Sequence, residues 1–581
     1  MANFIFVNKE KNEIPLSEYL IKKEIEGLSD LDVEYFENDK YILCFSYTNE
    51  DVFFRKNDGI TFIAGVGVYD DQVISKGNVF DVLKEIEFKG EYNRLSGRYV
   101  VFNICDDRAD IITSVFSSFP HYIYNDNAIH CSSTYLLKRL IKGSINENAL
   151  VERCLYYCNY NKTLLNNVKW VHPSCHYIYH DNEIKIVSYL RDVIKLYDEV
   201  DRNTAIKLIA KRLEYLTTLY SNRFDNISIS LSGGRDSRFL LCQLLRVCDK
   251  EKIEVYTVGE SSDIEYRVAN KFTKIFGLKH SLFSPAKLNE SELNNYTRKF
   301  ENINFPVQYK NEFSNYLSDK KPNVINTAIP ETLLCHLGYF NGNAHPAINF
   351  LYNRSSTMNS ATFVSGYEIS LETEIAAIEY WEFLKSELPN NTSVKLFFEL
   401  TSFQRDWVYK ILRPFDYSGN TICIMEDPLI LSILSSLPEK WLEDDAFYDD
   451  LIKSEYSEAY VIPTTRQFSA KGLLASFPSC VMKNYSLFFS SLFSVSSLGY
   501  LTKRNSEFIV SYINNNSDVV KGYFTDDEIK IFLFKINKYK YTQNRVIRFL
   551  KSKFAPSINI KEYDLIIPLC LISILKNYKK N

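Results

Sequence analysis

Six residues, Ser232-Gly233-Gly234-Arg235-Asp236-Ser237, stand between two runs of different character. Before them ISISL is a short strand-forming run, and after them RFLLCQLLRVC repeats its apolar residues at helical spacing. The two glycines carry no Cβ, so backbone N–H groups at 233 and 234 can approach an anion closely. A helix that starts near Asp236 points its first N–H groups, which lack intrahelical acceptors, at the same spot. Ser232 and Ser237 add hydroxyl donors. Phosphate binding fits these residue types. Asp236 brings negative charge toward negative charge, which is reconciled either by N-capping the helix or by holding Mg²⁺ on the phosphates. A helix terminus contributes only about 0.3–2 kcal/mol per charge, too little for a triphosphate and its departing pyrophosphate, so the metal is expected. The plain alternative is an ordinary glycine turn joining strand to helix. The loop is not G-x-x-x-x-G-K-[ST], which the sequence lacks.

Elements on either side must position this loop. The first ~190 residues carry short β-branched or aromatic runs separated by Asn, Asp and Gly, which predicts hairpins and antiparallel sheet. Among them are YILCFSY, GITFIAGVGVYDD, GRYVVFNICDD, ADIITSVFSS and HYIYHDNEIKIVSYL. The period then changes. Ala205, Ile206, Leu208, Ile209, Leu213 and Leu216 share one helical face, and the domain boundary is placed near residue 195. Strand ISISLS, helix RFLLCQLLRVC, strand KIEVYTVG and helix IEYRVANKFTKIFG follow, the alternation of a doubly wound parallel sheet. From about residue 290 onward most segments read as helix, including SVKLFFELTSFQRDWVYKIL (393–412) and DLIIPLCLISILKNY (564–578). The fold class is thus α/β plus α+β: an antiparallel sandwich-type domain over 1–195, a parallel-sheet domain over 196–480, and a helical extension over 481–581.

Composition bounds the function. A chain of 581 residues exceeds one ordinary core. Hydrophobic residues at 46% and charged residues at 24% are those of a globular protein. A net charge of −4 offers no case for a nucleic-acid partner. The 12 cysteines are scattered, and the closest pair, Cys154 and Cys158, has no second pair or histidine set at zinc spacing. MANFIFVNKEKNEI has no apolar stretch of signal-peptide length, so a cytoplasmic protein with reduced thiols is expected. The longest membrane candidate, LFFSSLFSVSSLGYL (487–501), is short and Ser-rich, and reads as a buried or interfacial helix rather than a membrane-crossing one.

At SGGRDS the sequence resembles the ATP-pyrophosphatase (PP-loop) family, whose signature is SGGxDS after the first strand. The segment DIEYRVANKFTKIFGLKHSLF is similar to the corresponding helix of the asparagine synthetases. LSGRYVVFNICDDRADIITSVFSSFPHYIY and the following AIHCSSTYLLKRL resemble that family's amino-terminal glutaminase domain, and IMEDPLILSILSSLPEKW resembles its "PFLD" helix. The resemblance covers most of residues 60–470. It implies that Ser232, Gly233, Gly234, Asp236 and Ser237 hold the pyrophosphate of ATP, that Val258 and Gly259 border the adenine, and that ATP and Mg²⁺ are the cofactors.

Departures from the pattern narrow the expectation. Glutamine-hydrolysing members begin Met-Cys, whereas here the second residue is Ala2 and the first cysteine is Cys44. A glutaminase step through that nucleophile is therefore not expected, as in the β-lactam synthetases and lasso-peptide cyclases. The family's second phosphate-side loop has its counterpart in VINTAIPETLLCHLGYF. There Glu331 takes the position of the metal-binding aspartate but the glycines are missing, so it is either a Mg²⁺ ligand or a helix-start acid. Arg466 and Lys471, in VIPTTRQFSAKGLL, are the two cations available for the α-phosphate, or they are solvated loop charges. Arg235 and Arg238 either grip a polyanion or point to solvent. His280 and His336 read as packed neutral histidines, and Tyr266 and Tyr339 as phenols able to carry a proton.

The resulting expectation is an AMP- and pyrophosphate-forming amide ligase of the asparagine-synthetase type without glutamine hydrolysis. Its partners would be a small-molecule, peptide or saccharide carboxylate and an amine or ammonia, with no nucleic acid and no membrane insertion; a homodimer is left open. The alternatives are asparagine synthesis from free ammonia and a scaffold that has lost turnover.

Overall fold

The computed structural model describes residues 3–28, 31–47, 52–56, 59–156, 162–194, 200–284, 287–301, 313, 316, 319–320, 322–325, 337–358, 370–405, 412–417, 419–465, 487, 504–521, 526–527, 529–530, 533, 536 and 567–579. Two antiparallel sheets form the first half. One runs in the order Val168–Trp170, Tyr122–Tyr124, Ile129–Cys131, Phe4–Asn8, Tyr41–Tyr47, Asp32–Glu37. The other runs Glu183–Ser188, Cys175–His180, Arg108–Thr113, Leu95–Ile104, Gly59–Tyr69, Val52–Lys56. Asp181 and Asn182, at φ 51° and 63°, make the tight turn between the first two of these, since Asp and Asn tolerate that region better than most residues.

The two sheets face each other across an aromatic core. Phe4, Phe6, Leu43 and Phe45 of one sheet meet Phe62, Val100, Phe102 and Tyr177 of the other, and the Phe45 and Phe62 rings stack at 3.8 Å. The alternate residues Ile5, Val7 and Cys44 turn outward, where Ile21 and Ile25 of helix Glu18–Glu26 and Leu136 and Leu137 of helix Thr134–Ile141 cover them. Leu569, Ile572 and Leu575 of the terminal helix Ile567–Lys579 belong to that same cluster. Tyr578 and Thr134 join their hydroxyls at 2.8 Å.

Helix Arg202–Arg223 opens the second half, N-capped by Asp201, and buries Ala205, Ile206, Ile209, Leu213 and Leu216 as their spacing requires. A five-stranded parallel sheet follows, ordered His280–Phe283, Ile253–Val258, Ile227–Ser230, Asn323–Ile325, Asn420–Ile422. The first strand in the chain lies in the middle, with later strands added on both sides. Strand order therefore reverses at Ile227–Ser230, the position where such sheets open a crevice beyond their carboxyl ends. Two of the strands, Asn323–Ile325 and Asn420–Ile422, fall in the stretch expected to be helical. Three residues are too few to show a period. The single helix expected over 393–412 is also corrected: helix Asn391–Phe398 passes into a π-helical segment at Glu399–Gln404. There Thr401 and Ser402 donate their hydroxyls back to the Phe397 and Phe398 carbonyls.

The halves lock through residues 96–98. Gly97 sits at φ 103°, where a Cβ would strike the Val66 carbonyl at 2.4 Å, and its N–H donates to the Glu426 carbonyl at 2.7 Å. Ser96 donates to Asp427 at 2.5 Å, and Arg212 donates to the same carboxylate. No helix among the described residues is long and apolar enough to cross a membrane.

Candidate phosphate-binding site

The loop leaves the carboxyl end of strand Ile227–Ser230 and enters helix Asp236–Val247. A ladder fixes the strand ends around it. Thr257 donates its hydroxyl to the Leu231 carbonyl at 2.5 Å. That hydroxyl must then accept from Nε2 of His280, 2.8 Å away, which assigns the imidazole a neutral Nε2–H tautomer. Burial lowers the His280 pKa to about 4, in agreement with a packed neutral histidine. Val258 and Gly259 follow Thr257 at the same edge of the sheet, and the Gly259 N–H is tied to the Phe283 carbonyl at 2.9 Å.

Inside the loop the serines brace one another. The Ser232 N–H donates to Ser237 Oγ at 3.0 Å, the two hydroxyls lie 3.1 Å apart, and the Gly234 N–H donates to Ser232 Oγ at 3.1 Å. Ser232 is exposed, and Gly234 and Asp236 are half-buried. A Cβ on Gly234 would meet only Ser232 Oγ, at 3.2 Å. The open side of the loop is therefore made of Ser232, Gly234 and Asp236.

The two glycines do different work. A Cβ on Gly233 would fall 2.2 Å from Thr465 Cγ2 and 3.0 Å from Glu265 Oε2. The space saved there admits the protein's own Thr465, whose N–H donates to the Gly233 carbonyl at 3.0 Å. The Gly233 N–H, expected to face a phosphate, donates instead to Glu265 Oε2 at 2.5 Å. Glu265 lies in the first turn of helix Ile264–Phe276, which Asp263 caps. Two helix N-termini thus converge on the loop, and a carboxylate from one already engages an amide of the loop itself.

Three expectations about neighbouring side chains change. Asp236 is not the N-cap: Arg235 occupies that position and Asp236 is the first helical residue, with Oδ1 accepting from the Tyr448 hydroxyl at 2.7 Å. The helix begins one residue earlier than a side-chain cap at Asp236 would require. Arg235 neither grips a polyanion nor points to solvent. It donates to Asp449 and Asp445, both at 2.5 Å, over the Tyr448 ring. Burial opposes its charge, but Asp445, Asp236 and Asp449 raise its pKa above the ordinary arginine value. Arg238 is fully buried and donates to four backbone carbonyls: Gly233 and Ile462 at 2.7 Å, Pro463 at 3.0 Å and Ala459 at 3.2 Å. Burial lowers its pKa to about 10, partly offset by Glu265. It acts as a staple between the loop and the 459–463 turn. Its position was legible: Arg238 shares a helical face with Leu241 and Leu245, so a cation there must be buried and must find acceptors.

Glu331, Arg466, Lys471 and His336 lie outside the described residues, as does Ala2. The Tyr266 ring lies tilted at 37° to that of His280 with centroids 5.2 Å apart, and Tyr339 lies under the Arg354 guanidinium at 4.8 Å. Among the described residues no group of three or more His, Cys, Asp or Glu side chains is arranged to hold a metal.

No protein-family model matches the chain, and no curated protein does. Among solved structures it is similar to the glutamine phosphoribosylpyrophosphate amidotransferase from B. subtilis, complexed with ADP and GMP. That match has 10% identity over 49% of this chain and 66% of that one, with a TM-score of 0.21. A structure described as the allosteric regulatory enzyme of purine biosynthesis matches at 10% identity over 49% of this chain and 81% of that one, with a TM-score of 0.22. The chain spans just under two thirds of the first of these. Overlap of this size is no basis for a fold or an activity.

Proposed function

We propose that the chain is an ATP-dependent, AMP- and pyrophosphate-forming amide ligase of the asparagine-synthetase type, working without glutamine hydrolysis. One observation carries the proposal. The Ser232–Ser237 turn stands at the carboxyl end of the central parallel strand, where strand order reverses, with the hydroxyl of Ser232, the backbone of Gly234 and the carboxylate of Asp236 on its open side. The missing Cβ at Gly234 leaves room for a phosphate oxygen, and Asp236 is the hard oxygen donor that Mg²⁺ prefers. The residues present fit the pair ATP and Mg²⁺.

In the proposed reaction a substrate carboxylate oxygen bonds to the α-phosphorus as the bond to the bridging oxygen breaks and pyrophosphate leaves. An amine nitrogen then bonds to the acyl carbon, AMP departs, and the amine proton passes to a base. ATP supplies the leaving groups and Mg²⁺ the charge neutralisation. This chain's own part is positioning. Ser232 and Ser237 hold the loop's shape, Arg238 fixes the Gly233 carbonyl, and Arg235, neutralised by Asp445 and Asp449, rigidifies the first turn of the helix. The substrate class is a small-molecule, peptide or saccharide carboxylate with an amine or ammonia as acceptor.

The test is to incubate the full chain with ATP, Mg²⁺ and candidate acids and amines. AMP with pyrophosphate is the expected product pair, and ADP alone contradicts the proposal. Asparagine from aspartate and ammonium would identify the narrower activity. The contact between Glu265 and Gly233 favours a second reading, a scaffold that keeps the loop but has lost turnover. ATP·Mg²⁺ binding without product formation, abolished in Asp236→Ala, selects it.

A further inference from the structure

We propose that Glu265 is a resident anion of the nucleotide site: its carboxylate occupies the Gly233 N–H in competition with phosphate and sets how tightly the site takes its nucleotide. The inference rests on reading the Ser232–Ser237 loop as that site.

The geometry is that of an anion in an anion cradle. Oε2 of Glu265 lies 2.5 Å from the Gly233 nitrogen, a short charge-assisted hydrogen bond. The carboxylate reaches across 32 residues of sequence to make it. An acid in the first turn of a helix ordinarily serves its own helix dipole. Here Asp263 already caps helix Ile264–Phe276, accepting from the Glu265 N–H at 3.0 Å, and the Glu265 side chain is turned to the neighbouring loop instead. Its charge also supports that of the buried Arg238. Carboxylate and phosphate oxygens want the same donor, so one N–H cannot serve both at full strength.

Displacement requires no backbone change. Glu265 is half-buried rather than sealed, and rotation about its side-chain torsions withdraws the carboxylate from the loop. Because the competent state is then only a fraction of the population, the apparent dissociation constant is the intrinsic one divided by that fraction. Removing the competitor removes the penalty.

The experiment is calorimetric titration of the full chain with ATP·Mg²⁺ and, separately, with inorganic pyrophosphate plus Mg²⁺. It compares wild type, Glu265→Gln, Glu265→Ala and Glu265→Asp, with thermal unfolding of each as a check on the fold. Glu265→Asp keeps the charge but is one methylene too short to reach Gly233. It therefore separates occupancy of the amide from long-range repulsion, and as the least disruptive change it keeps the test alive should the others fail to fold. The expected result is tightening of at least tenfold in Glu265→Ala, about 1.4 kcal/mol, with tightening of the same sense in Glu265→Asp and a smaller one in Glu265→Gln, whose uncharged amide oxygen still accepts from the Gly233 N–H. ATP binding seen only in the variants supports the proposal equally. Unchanged or weaker affinity in every folded variant, with wild type binding, overturns it and leaves the nucleotide site standing. No binding by any protein overturns both.

Discussion

The guanidinium of Arg98 closes on the carboxylate of Asp416 through two hydrogen bonds, 2.5 and 2.7 Å, and neither side chain has any solvent exposure. Arg98 belongs to a strand of the sandwich. Asp416 precedes the edge strand of the parallel sheet, whose Thr421 also donates to it at 3.0 Å. The Phe119 ring lies under the guanidinium at 4.9 Å. A pair so placed registers the two halves, because either partner alone would be an uncompensated buried charge. Arg98→Met is expected to cost about 3–5 kcal/mol of stability, and Arg98→Met with Asp416→Leu appreciably less than the single change. Urea unfolding of the double variant and of both single variants, Arg98→Met and Asp416→Leu, against wild type closes the cycle, and a double loss equal to the sum of the two single losses would mean that the pair contributes no coupling.

Gly233 gives a sharper geometric prediction. Its missing Cβ is the space that Thr465 fills, with Cγ2 2.2 Å from where that Cβ would be. Gly233→Ala should therefore displace the loop and lower stability by about 1–3 kcal/mol, the usual range for overpacking. Thr465→Ala removes Cγ2, so the double variant should recover part of the loss. Gly234→Ala meets only a serine hydroxyl at 3.2 Å and should fold normally while weakening ATP·Mg²⁺ binding. Equal stability losses at 233 and 234 would contradict the division of labour between the two glycines.

Arg238 tests whether the loop's shape depends on a buried staple. Arg238→Met withdraws the donors from four carbonyls, those of Gly233, Ala459, Ile462 and Pro463. The Gly233 carbonyl keeps its bond from the Thr465 N–H, but each buried carbonyl left without a donor costs about 1–3 kcal/mol, so severe destabilisation is expected. Arg238→Lys restores the charge but not the planar fork, and should recover only part of it. Full recovery by lysine, read by thermal unfolding, would show that charge alone suffices.

Much of this arrangement is legible in the amino-acid sequence where local pattern decides structure. ISISL, the glycine pair and the apolar spacing of RFLLCQLLRVC set the strand, turn and helix around the loop. Ala205 to Leu216 set the buried face of helix Arg202–Arg223 in the same way. What is not legible is decided by distant partners. Asn323–Ile325 and Asn420–Ile422 are strands only because the sheet's central strand and each other lie beside them. Glu265 reads as an ordinary helix-start acid until the loop packs against it. Arg235 has two carboxylate partners more than 200 positions away, beyond any local rule.

Glu426 makes the seam pH-dependent. Its carboxylate is completely buried and accepts from the hydroxyls of Ser114 and Ser118, with Arg98 nearby. Burial raises its pKa from 4.5 to about 7, and the serines and Arg98 only partly offset that. Below pH 4.5 the folded and unfolded chains both hold the proton. Between pH 4.5 and about 7 the folded chain holds it and the unfolded chain does not, so stability contributed by this group falls as pH rises through that window. The shift corresponds to a loss of about 3 kcal/mol by pH 8. The buried histidines act in the opposite sense: His130, lowered to about 3 by burial, must charge when the chain unfolds in acid. The measurement is therefore a difference, Glu426→Gln against wild type, by urea unfolding at pH 5 and pH 8. The variant should gain relative stability between the two by about 2–3 kcal/mol, because an amide keeps the shape and an acceptor oxygen but has no charge to bury. An identical difference at both pH values would mean that Glu426 does not change its proton occupancy on folding.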